Sequence, residues 1–208
     1  MKKVKTWWLP DNEQHLAEWI ERDTTGGYQV PHRANALKYV KKWGVAVDIG
    51  AHVGLWSREF CQRFKRVYAF EPMAAHRECF LKNVQYDNFT LHPVALGERD
   101  GSVKMATVDH STGGTHIDPG QPGDTPMTTL DSYEIPTIDF MKLDCEAYEI
   151  YVLRGAKETL LRCKPVICIE QKNQGYFGNP RYIASDYLKS LGAKEVSRFK
   201  DDLVFDWA

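Results

Sequence analysis

The sequence predicts one α/β domain built on a largely parallel sheet, and three observations carry that prediction. Gly44 to Ile49 is a near-continuous apolar run broken only by Asp48, as expected of a strand buried on both faces. From Gly44 onward, strand-like and helix-like patterns alternate, which is the mark of βαβ units. With 208 residues, the chain is long enough for one domain with a substantial core and too short for two full-sized ones.

The first 43 residues read as an N-terminal helical extension on a domain spanning 44–208. Asp11 or Asn12 can cap a helix running to about Glu21, whose Leu16, Trp19 and Ile20 form one stripe. Thr24-Thr25-Gly26-Gly27 breaks it, and a second short helix, Arg33 to Lys42, presents Leu37 and Val40. After the first strand, Gly50 and Gly54 bracket a tight turn. Leu55 to Phe64 then reads as a helix with Trp56, Phe60 and Phe64 on one face. Val67 to Phe70 is the second strand and ends in Glu71-Pro72. A helix from Met73 to Tyr86 points Phe80 and Val84 inward, and Phe89 to Leu96 is a third strand, weakened at its end by Pro93.

Gly101 to Leu130 breaks the alternation. It holds a strand-like piece (Ser102 to Val108), a polar run from Asp109 to His116 and a Pro/Gly-rich passage from Asp118 to Pro126. An insertion following a strand that ends at the ligand edge of the sheet reads as a lid. The core resumes with a strand over Ile138 to Asp144 and a helix over Ala147 to Arg162, with Gly155 as a break. The strand Val166 to Glu170 follows, then a helix over Tyr182 to Leu191 that stops at Gly192. Lys194 to Phe199 and Leu203 to Trp207 read as an antiparallel hairpin around Lys200-Asp201-Asp202.

Composition excludes some function classes. A formal charge of −1 provides no global field for nucleic acid or an anionic membrane. The basic and aromatic stretches Lys2 to Trp8 and Lys41-Lys42-Trp43 are the local features that could bind RNA; they read as solvated faces with anchoring aromatics. Five cysteines, odd in number and without metal-type spacing, argue for reduced thiols and a cytoplasmic setting. No apolar segment is long enough for export or for spanning a membrane.

The chemistry centres on the glycine turn. A dinucleotide fingerprint needs G-x-G-x-x-G, whereas Ala51-His52-Val53 separates Gly50 from Gly54, which argues against a pyrophosphate and a nicotinamide cofactor. Asp48 before the turn suits a ligand with a cationic end. Glu71, closing the second strand, is placed to accept ribose hydroxyls. A ribose, an ammonium or sulfonium and no phosphate together describe S-adenosylmethionine.

Val47-Asp48-Ile49-Gly50-Ala51-His52-Val53-Gly54, Ala69-Phe70-Glu71-Pro72, Val94-Ala95-Leu96-Gly97, Thr129-Leu130-Asp131-Ser132 and Met141-Lys142-Leu143-Asp144-Cys145-Glu146-Ala147-Tyr148-Glu149 occur in that order. This series resembles the motifs of FkbM-type S-adenosylmethionine-dependent methyltransferases. The resemblance implies a Rossmann-like class I methyltransferase domain, with a seven-stranded sheet whose last strand is antiparallel. It also implies O-methylation of a hydroxyl or related group; a small molecule or glycan is the expected acceptor, and a monomer or homodimer the expected state.

Carried over by position, Asp48, Gly50, Ala51, His52 and Gly54 would form the turn around the cofactor. Glu71 and Pro72 would hold the ribose, and Ala95 and Leu96 would flank the adenine. Asp144 would end the fourth strand beside the methyl group and, with Glu146, handle the acceptor proton; His116 and Glu170 are further candidates. The family usually has glycine where Ala147 stands. Asp144, Glu170 and Gln171 occupy positions similar to the acid, acid and amide that hold Mg²⁺ in catechol-type methyltransferases, but Glu-Gln replaces Asp-Asn, and no metal is expected. Metal-assisted or RNA-directed methylation, or a non-catalytic interaction module, are the alternatives.

Overall fold

The structure, a computed structural model, describes residues 1–23, 27–172 and 176–207. Seven strands form the central sheet: β1 (Val45–Ile49), β2 (Arg66–Phe70), β3 (Phe89–His92), β4 (Phe140–Leu143), β5 (Val166–Glu170), β6 (Ala193–Phe199) and β7 (Asp202–Trp207). Their spatial order is β6, β7, β5, β4, β1, β2, β3. The pairs from β5 to β3 are parallel, and β7 runs antiparallel between β5 and β6. The closing hairpin and the antiparallel last strand are therefore both present. The chain winds outward from β1 to β3 and then returns to lay β4 on the other side of β1. The strand order thus reverses between β1 and β4, where open α/β sheets leave a crevice beyond the carboxyl ends of the strands.

Alternate residues of each strand feed two cores, one on each face. Ala46, Val67 and Phe140 face α3 (Leu55–Arg63) and α4 (Ala74–Asn83), whose Phe60 and Phe80 are fully buried. Val47, Phe70, Met141 and Ile167 belong to the other core. There they meet α5 (Glu149–Arg154), α6 (Lys157–Cys163) and α7 (Ile183–Ser190). The single helix expected over 147–162 is thus two, parted at Gly155.

The N-terminal residues share the first core rather than forming a separate one: Leu9, Leu16, Ile20 and Leu37 lie in it. Both expected helices are there, as α1 (His15–Arg22) and α2 (Val30–Leu37), but a hairpin pairing Lys2–Val4 with Trp7–Leu9 precedes them. Asn83 docks that hairpin: its side chain accepts from Trp8 N at 2.7 Å and donates to Trp8 O at 2.9 Å. The α1 helix starts later than Asp11 or Asn12 would set it, because the acceptor for its first turn is Glu13, whose Oε1 takes Leu16 N–H at 2.7 Å. Of the break expected at 24–27, residues 24–26 lie outside the described residues. The basic and aromatic stretches are committed to the fold. Trp7, Trp8 and Trp43 pack against the core, Lys41 pairs with Asp206 at 2.7 Å, and Trp43 lies 4.9 Å from Phe64.

Pro93 divides the expected third strand. β3 stops at His92, and Ala95–Leu96 joins a small separate sheet with Thr125–Thr128 and Gly101–Val103. The insertion is more ordered than its composition suggests. Met105–Ala106 pairs with His116–Ile117, and a single 3₁₀ turn, Thr112–Gly114, lies between them.

Gly54 caps α3 with φ +90°, a left-handed backbone, and a Cβ built there would come 2.6 Å from Val84 Cγ2 and 3.0 Å from Phe80 Cδ2. Its lack of a side chain serves the packing of α4. Gly54→Ala is expected to cost about 2 kcal/mol through strain and overpacking. Thermal unfolding should show this as a loss of roughly 4–8 °C at this chain length.

Candidate functional site

The crevice beyond β1, β2, β4 and β5 is roofed by the insertion and has two parts. In the first, Phe70, Val94, Leu96, Met105 and Ile117 make an apolar slot with Glu71 at its side. Glu71 is buried, and three donors hold it: His52 N reaches Oε2 at 2.8 Å, and Met73 N and His76 Nδ1 reach Oε1 at 2.9 and 3.0 Å. A carboxylate offers about four lone-pair sites, so Oε2 keeps one for a further donor.

The turn after β1 is shaped by close approach. Gly50 has φ +75°, and a Cβ there would lie 1.9 Å from the carbonyl oxygen of Asp144. The Gly50 and Ala51 amides both donate to Phe70 O at 3.1 Å, which ties the turn to the end of β2. Burial holds the His52 imidazole well below its ordinary pKa, so it is neutral. Its Nε2 lies 2.9 Å from Thr112 Oγ1 in the roof.

The second part of the crevice is charged. Lys142 on β4 stands in register with Asp48 on β1; its ammonium donates to Gly50 O at 3.0 Å and lies 3.6 Å from Asp48 and 3.5 Å from Asp144. Burial works against the Lys142 charge, but Asp144 and Asp48 outweigh it and raise its pKa. Burial likewise pushes Asp48 up. Burial would also raise Asp144, but Lys142, Lys172 and a hydrogen bond from Glu170 prevail and hold it below the ordinary carboxylate range. Glu170 goes the other way, pushed up to about 10 by burial and by Asp144. At neutral pH Asp144 is the charged partner and Glu170 the protonated one.

Asp144, Glu146 and Glu170 offer carboxylate oxygens within 4.8 Å of one another. Lys172 reaches into the same group, 2.7 Å from Glu170 and 3.3 Å from Glu146. Gln171 is not part of it: its Oε1 accepts Ser185 N–H at 3.1 Å, which turns the side chain towards α7. The acid, acid and amide arrangement of catechol-type enzymes is therefore not formed. Glu146 and Ala147 are both left-handed, with φ +51° and +73°. The backbone keeps the turn that glycine would favour, and alanine carries its strain. The wall opposite comes from the N-terminal segment. There Gln29 accepts from Trp56 Nε1 at 2.8 Å, and Tyr28 has a phenol pushed up to about 12 by burial and by Asp144.

Of the residues expected from sequence, Gly50, His52, Glu71, Pro72, Ala95, Leu96, His116, Asp144 and Glu146 line the first part of the crevice. Ala51 and Glu170 line the second, to which Gly50, His52, Asp144 and Glu146 also belong. Asp48 and Gly54 line neither. Asp48 is fully buried behind the turn, where Ser57 Oγ donates to it at 2.6 Å, and Gly54 is packed under α4. Both shape the turn from behind. His116 stacks on Tyr176 at 3.9 Å, and its Nδ1 lies 3.0 Å from Gly114 O. A carbonyl only accepts, so Nδ1 carries a proton. Sequence reasoning missed Lys142, Lys172, Tyr28, Glu13 and Thr112. Lys142 alone left a signal, as a cation inside an otherwise apolar strand.

A sequence model of the family described as methyltransferase FkbM domain matches residues 48–197. Among solved structures, the chain is similar to an FkbM methyltransferase from Methylobacillus flagellatus KT. Identity is 18%, coverage is 80% of this chain and 44% of that one, and the TM-score is 0.53. It is also similar to a precorrin 8w decarboxylase from Methanobacterium thermoautotrophicum, with 17% identity, coverage of 88% and 92%, and a TM-score of 0.53. These likenesses show a common fold, and the chain spans less than half the length of the first protein. No curated protein matches it in sequence. Among the described residues no helix is long and apolar enough to cross a membrane.

Two expectations follow from the site's backbone and charge. Ala147→Gly should leave thermal stability unchanged or raise it, against the loss of about 0.5–1 kcal/mol that alanine to glycine costs in a helix. Glu149, whose Oε1 accepts Cys145 N–H at 2.9 Å, is pushed up by burial from 4.5 to about 7. The unfolded carboxyl ionises first as pH rises, so the stability this group contributes is complete below pH 4.5 and lost as pH rises through about 7. Glu149→Gln keeps the acceptor and should remove on the order of 2–3 kcal/mol of the decline between pH 5 and pH 8, measured by denaturant unfolding at each pH.

Proposed function

Because the chain belongs to the FkbM family of methyltransferase domains, we propose that its crevice presents the hydroxyl of a small molecule or glycan for O-methylation. Its methyl donor is S-adenosylmethionine. When bound, that molecule supplies an activated methyl group on a sulfonium sulfur. The residues present suit it: an apolar slot for a base, one carboxylate with a free lone pair for a ribose hydroxyl, and at the far end a carboxyl cluster in which Asp144 is charged. Phe70, Leu96 and Ile117 would hold the adenine and Glu71 the ribose, with Gly50 and Asp144 next to the sulfur.

The observation that carries the acceptor reading is the position of Asp144. It lines both parts of the crevice, and its side chain is 24% exposed. Lys142 keeps it charged from behind, so it can accept a hydrogen bond from an incoming hydroxyl and take the proton as the oxygen reacts. Protonated Glu170 steadies that charge from the side. Tyr28, Trp56 and Tyr176 line the second part of the crevice, which suits a polyol or an aromatic alcohol. Holding the acceptor oxygen in line contributes most of the acceleration, up to about 7–11 kcal/mol in favourable cases.

His116 supports a second reading of the proton's destination, since it lines the first part of the crevice with Nδ1 turned to Gly114 O. Asp144→Asn is expected to lower kcat by about 10²–10⁴-fold while calorimetry shows S-adenosylhomocysteine affinity within a few-fold of wild type. Full turnover by that variant would rule out Asp144 as the base; loss on His116→Gln would then assign the proton to His116.

A further inference from the structure

Glu13 lies 35 residues before the family-matched region and is 1% exposed, yet three donors hold its carboxylate. Oε1 accepts Leu16 N–H at 2.7 Å, and Oε2 accepts both the amide and the hydroxyl of Thr112 at 2.6 Å. The amides of Gln14 and His15 both donate to His110 O at 2.9 Å, so the start of α1 and the roof are joined at two points. Thr112 Oγ1 also lies 2.9 Å from His52 Nε2, and His52 N–H holds Glu71 Oε2.

The proton order in this chain is fixed by elementary bookkeeping of donors. A carboxylate only accepts, so the single hydroxyl proton of Thr112 points to Glu13. Towards His52 the hydroxyl can then only accept, and Nε2 must be the nitrogen that carries the ring proton. The His52 ring sits edge-on to His76, with centroids 4.4 Å apart, and His76 Nδ1 in turn meets Glu71 Oε1 at 3.0 Å. Oε2 of Glu71 is therefore held by the amide of a residue whose ring orientation traces back to Glu13, while Met73 N–H and His76 Nδ1 hold Oε1. A glutamine at position 13 has one carbonyl for three donors and must turn its NH₂ onto one of them.

We propose that Glu13 is a positioning residue for the cofactor carboxylate Glu71, acting through Thr112: it fixes His52 as its Nε2–H tautomer and so anchors the residue whose amide holds Glu71. This rests on the reading of Glu71 as the ribose acceptor. The N-terminal extension thereby ties the roof to the same pocket.

Long-range proton–nitrogen correlation spectra of the wild-type histidine rings, which need no ligand, should show His52 protonated at Nε2. Glu13→Gln should shift that ring towards the Nδ1–H form and weaken S-adenosylhomocysteine binding by roughly tenfold, read by calorimetry. Thr112→Val should do the same, Thr112→Ser should retain wild-type values, and the Glu13→Gln/Thr112→Val pair should be no worse than either alone. An Nδ1–H tautomer in the wild-type chain overturns the proposal, as does Glu13→Gln with unaltered tautomer and affinity. Failure of the wild-type chain to bind S-adenosylhomocysteine would instead remove the reading of Glu71, leaving the tautomer to decide whether the relay exists.

Discussion

The buried ammonium of Lys142, set between Asp48 and Asp144 where β1 and β4 separate, is the interaction on which the rest of the site depends. An isolated charge in such a place would be too costly to keep. Here the cost is offset three ways, by the two carboxylates and by the carbonyl of Gly50. One group thus fixes the turn after β1, orients the residue that ends β4, and keeps Asp144 ionised beside it. Asp48 is the fully buried partner, so its removal would leave the ammonium dependent on the more exposed Asp144 and the Gly50 carbonyl.

The same ammonium explains why neighbouring carboxyls behave differently. Asp144 is close to two cations, and Glu170, close to Asp144 and with the less exposed side chain, takes up the proton that relieves like-charge repulsion. Lys172 supplies the second cation from the edge of the group. The cluster is balanced by protons and ammonium groups drawn from this chain.

Much of the fold was legible because the strands that build it are short, apolar and separated by helix-period segments. β1, β2, β4 and β5 fell within a residue or two of expectation, and so did the closing hairpin. The helix starts and the roof were harder to read, for a physical reason. α1 takes its first acceptor from Glu13, a residue type that rarely announces a cap, and the roof is ordered by pairing with distant segments such as Ala95–Leu96. In the site, the residues at strand ends could be read because topology alone places them at the crevice. Asp48 could not be assigned in the same way. The apolar run puts it on the strand but does not say that a lysine one strand away claims it. Tyr28, Thr112 and Glu13 act through contacts across the chain, such as the 99 positions between Glu13 and Thr112, and no local pattern encodes those.

That long reach has a consequence for how specificity is built. The apolar slot, Glu71 and the turn all lie inside the segment shared with the family, residues 48–197. Tyr28, Gln29 and Glu13, which line the second part of the crevice, lie before it. A wall contributed by a separate segment can change its side chains without disturbing the strand ends, provided it keeps its anchor on the roof. Glu13 is that anchor, and it also lines the second part of the crevice. Substitutions along the wall alter the second part alone, whereas a substitution at Glu13 reaches the pocket around Glu71 as well. The two functions of the N-terminal segment, shaping one part of the crevice and steadying the other, therefore meet in a single buried carboxylate.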